Sequence, residues 1–394
     1  MTTLHYLGPE GTFTHQAAIQ AAQALNTLVD NVELQAEPDV SSILDAVQKN
    51  NDWGAIAWEN NIEGYVVPNL DALIDAPNAA AFARVGIDVS FDAFVRPSVD
   101  VSSADANNAD LNNADASSAE SRVGNGNTRT TNPSTGQTGD NTATFAHVSD
   151  TVADSRDDGD RSSTDRLIAH CSTITAHPHG LAQCRRFAAD HHLTPLPAVS
   201  NGAACRDLQP GQVALGPSIC GDLYSLTRVA TAVEDYPGAH TEFLILAPRD
   251  RTGDLLNQIR PTTVSNGDME FESVIAFIPL STGPGVLANL LDVLRDAGLN
   301  MTSFISRPIK GHDGTYSFIA TIDAAPWQSH LRSVLIEAVE HGDWVKTLAV
   351  YPRRERPNPP VYAWSLPNGG VQHEVGHAPT NWADTGEACK ELLW

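Results

Sequence analysis

The sequence predicts an α/β protein whose last part is a small ferredoxin-like unit. Three observations support this prediction. Short apolar strands alternate with helices over residues 1–97 and again from about 165 to 250, which is typical of layered α/β domains. The segment between them, residues 98–165, is polar and repetitive. Residues 272–352 follow the order strand, helix, strand, strand, helix, strand, which is the order of a ferredoxin-like unit.

The elements of the first part follow from hydrophobic periodicity. The predicted elements are a strand at 4–7, a helix through 17–25, a helix at 40–47, a strand at 53–58 and a strand at 85–95. Thr12 or Thr14 is expected to cap the first helix, because a hydroxyl can accept from the free N–H groups of a first turn.

The segment 98–165 cannot form an apolar face. Pentads of the form Asp-x-(Ser/Asn)-(Ser/Asn)-Ala start at Asp100, Asp105, Asp110 and Asp115. A period of five matches neither a helix nor a strand, and so polar a segment buries too little apolar surface to offset its chain entropy. We therefore expect a disordered acidic insert within a domain that spans residues 1–250.

Order is expected to resume near residue 165. The predicted elements are a strand ending at 176, a helix beginning at Pro178, a strand at 213–216, a helix at 218–223 and a strand at 243–246. Residues 250–270 are polar and predict a linker, and the Pro-rich stretch 353–394 predicts an irregular tail.

Composition excludes several classes of function. The formal net charge is -24, which disfavours nucleic-acid binding because phosphate contacts need clustered Lys and Arg. No apolar run is long enough to span a membrane, and the N-terminus shows no signal-peptide pattern. The 5 cysteines are too few for a disulfide framework. We expect a cytoplasmic protein with reduced thiols.

Two polar segments lie where α/β proteins place ligands. Gly8–Thr14 enters a helix after a strand, and free N–H groups at a helix start attract anions. Glu59-Asn60-Asn61 follows a buried strand, at the end of a sheet where crevices form. Taken alone, the first segment equally fits a capped surface helix and the second a solvated loop.

Five segments in a fixed order make the sequence resemble the catalytic domain of prephenate dehydratases. They are Gly8–Thr14, Glu59–Gly64 with Pro68–Asp71, His177–Cys184, Ser200–Ala204, and Val233–Asp235 continuing to Thr241–Leu244. The ferredoxin-like unit resembles the ACT regulatory domain of that family, because Gly285-Val286-Leu287 matches its Gly-Ala-Leu loop and Ser306-Arg307-Pro308 the end of its Glu-Ser-Arg-Pro motif.

The resemblance implies a fold and an activity. The family fold has two lobes, like periplasmic binding proteins, with the site in the cleft between them. The implied reaction is the decarboxylative dehydration of prephenate to phenylpyruvate in phenylalanine biosynthesis. It implies no cofactor, and the sequence contains no P-loop or dinucleotide fingerprint. Regulation by phenylalanine through paired ACT domains is also implied, in a homodimer or homotetramer.

The resemblance and the chemistry of the reaction select candidate site residues. Thr241 corresponds to the Thr of the family's Thr-Arg-Phe motif and is expected to assist departure of the ring hydroxyl, with Glu59 as a possible proton donor. The expected substrate-binding residues are Thr12, Thr14, Asn60, Asn61, Ser200, Asn201 and Phe243. The expected effector-binding residues are Gly285, Val286, Leu287 and Asn300.

One departure from the family pattern bears on activity. Glu242 stands where Thr-Arg-Phe has its Arg, and an anion beside the site is expected to repel a dianionic substrate. Either another cation (Arg166, Arg185 or Arg228) faces the cleft, or the family Arg mainly braces the lobes. Restoring the motif with Glu242→Arg is accordingly expected to leave KM unchanged or to lower it.

Two competing interpretations stay open at this stage. One is an arogenate dehydratase. The other is a catalytically weakened amino-acid sensor, which the presence of Glu242 suggests. A third pattern, His373-Glu374-Val375-Gly376-His377, matches the HExxH zinc motif. Glycines and Pro379 surround it, whereas zinc binding needs both histidines on one stable helix, so we expect no metal.

Overall fold

The computed structural model describes residues 2–29, 31–97, 166–259, 270–281, 283–309, 311–312, 314–353, 366–373 and 380–393. The predicted acidic insert at 98–165 and most of the HExxH segment lie outside the described residues. Contacts divide the chain into a large unit, Met1–Tyr351, and a C-terminal unit, Pro352–Trp394.

The large unit alternates strands and helices. Its strands are β1 (Thr2–Leu7), β2 (Val32–Glu37), β3 (Trp53–Asn60), β4 (Gly64–Tyr65), β5 (Ala79–Asp88), β6 (Asp92–Val95), β7 (Thr173–Ala176), β8 (Thr194–Pro197), β9 (Gln212–Gly216), β10 (Thr227–Ala230), β11 (His240–Pro248), β12 (Phe271–Ile278), β13 (Met301–Pro308), β14 (Tyr316–Ile322) and β15 (Trp344–Pro352). Its helices are α1 (Phe13–Ala24), α2 (Val40–Asn50), α3 (Val67–Asp75), α4 (Pro178–Gln183), α5 (Arg185–Asp190), α6 (Asn201–Arg206), α7 (Ile219–Leu223), α8 (Arg249–Ile259), α9 (Val286–Asp296) and α10 (Ser329–Glu340).

The strands form two sheets, one in each lobe. The larger sheet has ten strands in the order β13-β14-β12-β15-β5-β11-β3-β1-β2, with β4 paired to β3. The smaller sheet has five strands in the order β10-β6-β9-β7-β8. The chain leaves the larger sheet after β5 and returns to it in β11, so two crossings join the lobes. This is the two-lobed α/β architecture that the sequence led us to expect.

The crossing explains one wrong prediction. Residues 85–95 were expected to form a single strand, but β5 ends at Asp88 and β6 begins at Asp92, and these two strands belong to different sheets. Apolar residues continue through the crossing, since Val89 and Phe91 pack in the core of the smaller lobe. Hydrophobic alternation alone therefore did not reveal where the chain changes sheet.

Helix α8 replaces the first half of the predicted linker. Residues 250–270 were expected to lack structure, but Arg249–Ile259 is helical. Leu255 and Leu256 are buried against the same core as Phe271 of β12. Two apolar residues in a mainly polar helix suffice to anchor it, because burial of each contributes about 1.5–3 kcal/mol.

The ferredoxin-like unit extends the larger sheet. Its four strands keep the order β13-β14-β12-β15, and α9 and α10 pack on them through Leu290, Leu294, Leu331 and Val334. Strand β15 lies parallel to β5, with Ala349 opposite Ala81. The C-terminal unit, predicted to be irregular, contains a short helix α11 (Gly386–Leu392) that begins at the cap residue Thr385.

Candidate active site

Thr241 and Asn60 form the centre of the site. They lie opposite each other on β11 and β3, and Asn60 Nδ2 donates to Thr241 Oγ1 at 2.9 Å. The amide orientation is settled by the turn that follows, since Asn60 Oδ1 accepts from the N–H groups of Ile62 at 2.9 Å and Glu63 at 3.0 Å. Among the described residues, none accepts a hydrogen bond from the Thr241 hydroxyl. Its proton is therefore available to an oxygen of a bound molecule.

Helix α1 begins with free backbone donors at the same edge of the sheet, because it follows the end of β1 and β1 lies parallel to β3. Thr12 caps the helix: its hydroxyl accepts from the N–H of His15 at 3.2 Å and donates to the carbonyl of Pro9 at 3.0 Å. The cap thus uses the Thr12 hydroxyl, and the expected contact of Thr12 with substrate stays a prediction. The N–H groups of Phe13 and Thr14 and the Thr14 hydroxyl have no acceptor within the described part of the chain, so this end can hold an anion.

The smaller lobe adds Ser200 and Asn201 at the start of α6. Ser200 caps the helix by accepting from the N–H of Ala203 at 3.0 Å. Asn201 Oδ1 accepts from the N–H of His177 at 2.9 Å, which leaves its NH₂ group without an acceptor in the described structure. Asn201 therefore remains a candidate donor to substrate, and Ser200 is foremost a cap that can still donate its proton.

Gly202 brings α6 against the opening turn of the chain. A Cβ at Gly202 would lie 2.4 Å from the carbonyl oxygen of Glu10 and 3.0 Å from the backbone carbon of Gly11. Only glycine permits this approach. Tyr224 of the smaller lobe donates to the same Glu10 carbonyl at 2.7 Å, so the two lobes meet beside the start of α1.

Asn61 holds the start of β11. Its Oδ1 accepts from the N–H of His240 at 2.7 Å, and its Nδ2 donates to the carbonyl of Gly238 at 2.8 Å. The expected substrate contact of Asn61 stays a prediction. Both polar atoms of its amide are engaged in fixing the segment that leads to Thr241.

Glu59 lies on the opposite face of the sheet from Thr241. The pairing of β11 with β3 is irregular here: Glu242 lies opposite Glu59 and Phe243 opposite Ala57, so that Trp58 has no partner in register. Residues that lie opposite each other share a face, and successive residues alternate. Glu59 thus shares the face of Glu242, and the expectation that it donates a proton to the departing hydroxyl stays a prediction.

Phe243 belongs to the core. It is 2% exposed and packs with Tyr6, Ala17 and Ile245. Its ring packs in the core cluster that includes residues of the larger sheet and α1, and its expected contact with substrate stays a prediction. From the sequence alone, an aromatic residue that contacts substrate cannot be distinguished from one that packs in the core.

Glu242 does not place an uncompensated charge beside the site. Its Oε2 lies 3.4 Å from Nε of Arg84 on β5, and its Oε1 lies 3.1 Å from Nε2 of His240. The hydrogen bond that His240 donates to Glu242 raises the pKa of His240, burial opposes this shift, and the contact with Asp88 adds to it. The cation that compensates the charge of Glu242 is therefore Arg84, which was not among the cations expected from the sequence. Its signal was a lone Arg within the apolar run of β5.

Of the cations that the sequence proposed, Arg228 is engaged elsewhere. Its Nε lies 3.1 Å from Asp92 Oδ2 within the smaller lobe. Arg166 and Arg185 are exposed. The compensation of Glu242 therefore comes from the neighbouring strand of its own sheet.

The ferredoxin-like unit contacts the lobe that carries Thr241. Arg307 on β13 makes a bidentate pair with Asp71 of α3, with N–O distances of 3.1 and 2.9 Å. Tyr65 on β4, the strand beside Glu59, donates to Ser303 at 2.7 Å. Two segments that carried the sequence resemblance, Pro68–Asp71 and Ser306–Pro308, are thus joined.

The expected effector residues occupy two places in this unit. Gly285 has a φ of 92° and precedes α9, where Val286 and Leu287 form the first turn. A left-handed residue before a helix favours glycine. Asn300 precedes β13, and its Nδ2 donates to Asp323 at 2.5 Å. Asn300 is therefore held to the end of β14.

Within the described residues, no group of three or more His, Cys, Asp or Glu side chains has an arrangement suited to a metal ion. None of the described helices is long and apolar enough to cross a membrane.

Comparisons with known proteins agree with this geometry. A sequence model described as prephenate dehydratase matches residues 4–106 and 162–251, and the gap in this match falls within the predicted insert. Prephenate dehydratases of Mycolicibacterium vanbaalenii and Mycolicibacterium gilvum are 27% and 26% identical to the chain, covering 85% and 81% of it and 87% and 80% of themselves. The fold is shared with a prephenate dehydratase of Arthrobacter aurescens in complex with L-Phe, with a TM-score of 0.61 and 19% identity over 92% of this chain and 94% of that one.

Proposed function

Since this chain belongs to the prephenate dehydratase family, we propose that it converts prephenate to phenylpyruvate, and that Thr241 supplies the hydrogen bond to the departing hydroxyl. The observation that carries this assignment is the Asn60 amide, which donates to Thr241 Oγ1 at 2.9 Å. A hydroxyl that already accepts one bond directs its own proton elsewhere, and in the cleft the leaving oxygen is its acceptor.

The start of α1 is the proposed binding site for a carboxylate of prephenate. The free N–H groups of Phe13 and Thr14 and the Thr14 hydroxyl supply donors there, and the helix dipole favours negative charge. The NH₂ group of Asn201 adds a donor from the smaller lobe. All of these groups are neutral hydrogen-bond donors. In this proposal they hold the carboxylates of the dianion by hydrogen bonds, without a cation at each carboxylate.

The reaction itself asks for little more than positioning and polar support. The bond between the ring and its carboxylate breaks, and its electron pair enters the ring as carbon dioxide leaves. The C–O bond to the ring hydroxyl breaks at the opposite end, and its electron pair departs with the oxygen. Aromaticity supplies the driving force. Thr241 stabilises the charge that develops on this oxygen, which ends as water after taking a proton from solvent.

The test is turnover of prephenate by the purified protein, measured as formation of phenylpyruvate. Thr241→Ala is expected to lower kcat by about 100- to 1000-fold, the range for loss of one preorganised donor, and Thr241→Ser to keep most of the activity. Thr194→Ala, at an exposed position on β8, is the matched control. Turnover by Thr241→Ala at the level of this control would remove Thr241 from the mechanism.

We also propose that phenylalanine regulates the enzyme through the ferredoxin-like unit, acting as an ACT domain over residues 272–352. The supporting features are the Gly285–Leu287 loop and the contacts of this unit with α3 and β4. The proposed assembly is a homodimer or homotetramer in the cytoplasm. Calorimetry with phenylalanine, together with prephenate turnover at increasing phenylalanine, tests the regulation. Absence of a binding heat and of any change in turnover would refute it.

The argument for a catalytically weakened sensor no longer holds. It rested on Glu242 repelling the substrate, and the pairing of Glu242 with Arg84 and His240 supports a neutralised carboxylate on the far face of β11.

A further inference from the structure

Arg84 is at the centre of a buried polar cluster that the reaction does not use directly. The cluster consists of Arg84 on β5, Glu242 on β11, Glu272 on β12 and Tyr351 on β15. Arg84 Nη1 lies 3.6 Å from Glu272 Oε1, its guanidinium carbon lies 4.7 Å from the centre of the Tyr351 ring, and Tyr351 donates to Glu272 at 3.3 Å. The side chains of Arg84, Glu242 and Glu272 are only 4%, 11% and 3% exposed.

Arg84 supplies the positive charge that compensates the carboxylates of this cluster. Two carboxylates, Glu242 and Glu272, share this one guanidinium, and Glu59 lies opposite Glu242 in the ladder. Burial alone lowers the pKa of Arg84, but Tyr351, Glu242 and Glu272 outweigh it and the net shift is upward. Arg84 therefore stays charged. His240 contacts both Glu242 and Asp88. It is the second side chain beside Glu242 that can carry a positive charge.

On the side of β5 the ladder of β11 is regular from His240 to Ile245, so the compensation matters for the pairing of β11 with β3. A regular antiparallel ladder fixes its own register, but the pairing of β11 with β3 shifts between Glu242 and Phe243. Backbone bonds are interrupted at such an irregularity, so side-chain contacts have a larger share in holding the strand. The hydrogen bond between Thr241 and Asn60 lies at the next residue pair.

From these contacts we propose, on the basis of the proposed dehydratase function, that Arg84 is a positioning residue for the reaction. It neutralises Glu242 from the neighbouring strand and thereby keeps Thr241 in hydrogen-bonding register with Asn60. Glu272 and Tyr351 extend this support into the ferredoxin-like unit.

The proposal predicts a particular kinetic signature. Without Arg84, the carboxylate of Glu242 is drawn toward water and Thr241 moves relative to the leaving oxygen. Displacement of a catalytic group by about 1 Å costs about 100-fold, so Arg84→Met is expected to lower kcat by about that factor. KM is expected to change by less than about threefold, because the start of α1, where the carboxylate binds, is untouched.

A double-mutant cycle with Thr241 separates positioning from a merely structural role. If Arg84 acts through Thr241, Arg84→Met causes almost no further loss of kcat in a Thr241→Ala background. A loss of about 100-fold in both backgrounds would overturn the proposal. Wild-type protein without prephenate turnover would instead refute the proposed function, so the two failures are distinguishable.

Two milder variants keep the test decisive if Arg84→Met does not fold. Arg84→Lys retains the charge and is expected to recover most of the lost kcat. Glu242→Gln removes the charge that needs compensation, and Arg84→Lys is then expected to have no effect on kcat. Lys49→Met, which removes an exposed cation paired with Asp45, is the control. Loss of most of the kcat in Arg84→Lys, by the same factor in the Glu242→Gln background as in the wild-type protein, would also overturn the proposal.

Discussion

Restoring the Thr-Arg-Phe motif is the most informative single perturbation of this protein. The sequence alone suggested that Glu242→Arg leaves KM unchanged or lowers it. The structure adds an expected effect on stability and kcat, because the new guanidinium would meet Arg84 and not the substrate. The carboxylate being replaced is buried and lies 3.4 Å from Arg84 Nε.

The expected cost follows from burial and charge. Removing one partner of a buried ion pair costs about 3–5 kcal/mol, and the remaining contact of Arg84 with Glu272, at 3.6 Å, holds the loss toward the lower end. Two cations about 4 Å apart repel by about 4 kcal/mol at an effective dielectric constant of 20, although the longer side chain can partly turn away. We expect destabilisation of at least about 3 kcal/mol, with a fall in kcat.

Urea denaturation followed by circular dichroism measures this change. Glu242→Gln keeps the shape and is expected to cost about 1–3 kcal/mol. Asp45→Arg breaks an exposed pair in which both side chains are more than half accessible, and is expected to cost less than about 1 kcal/mol. A Glu242→Arg protein as stable as Asp45→Arg would show that Arg84 does not hold the carboxylate.

Two further predictions concern the ferredoxin-like unit and pH. Arg307→Met removes the bidentate pair with Asp71 and is expected to weaken the response of prephenate turnover to phenylalanine while its calorimetric binding persists; an unchanged response would exclude this contact from the coupling. The folded-state pKa of His240 is raised, chiefly by Glu242, so its contribution to stability is fully present below its unfolded pKa of about 6.5 and is lost as pH rises through the folded value. His240→Gln is expected to flatten this part of the stability profile, as measured by urea midpoints between about pH 5 and 8; a profile of unchanged slope would contradict it.

The sequence predicted the local elements better than the long-range pairings. The ferredoxin-like unit followed from its order of strands and helices, and the strand predicted at 53–58 lies within Trp53–Asn60. Thr241 and Asn60 were selected through the order of motifs. The roles of Glu59 and Asn61 were not accessible, because they depend on an irregular pairing and on the loop at Gly238, which only the assembled β3–β11 ladder defines.

Arg84 shows the same limit. An Arg between Ala83 and Val85 indicates a buried charge that needs a partner, but the pattern does not say which carboxylate answers it. That partner is set by the position of β5 beside β11 and by β15 and β12, which follow on the other side of β5 in the same sheet. A charged residue in a core strand therefore indicates that it has a partner of opposite charge. Which residue that partner is depends on the tertiary fold.

The junction of β15 with β5 has a practical consequence for making fragments of this protein. A chain cut after α8 would lose the four strands that continue the sheet beyond β5. It would then present the open backbone of β5, with Ala79 and Ala81 and the side chain of Leu73 uncovered where Val274 and Leu348 had packed. Such an exposed apolar border invites edge-to-edge association. The catalytic half is thus expected to precipitate unless its missing neighbour is supplied in trans.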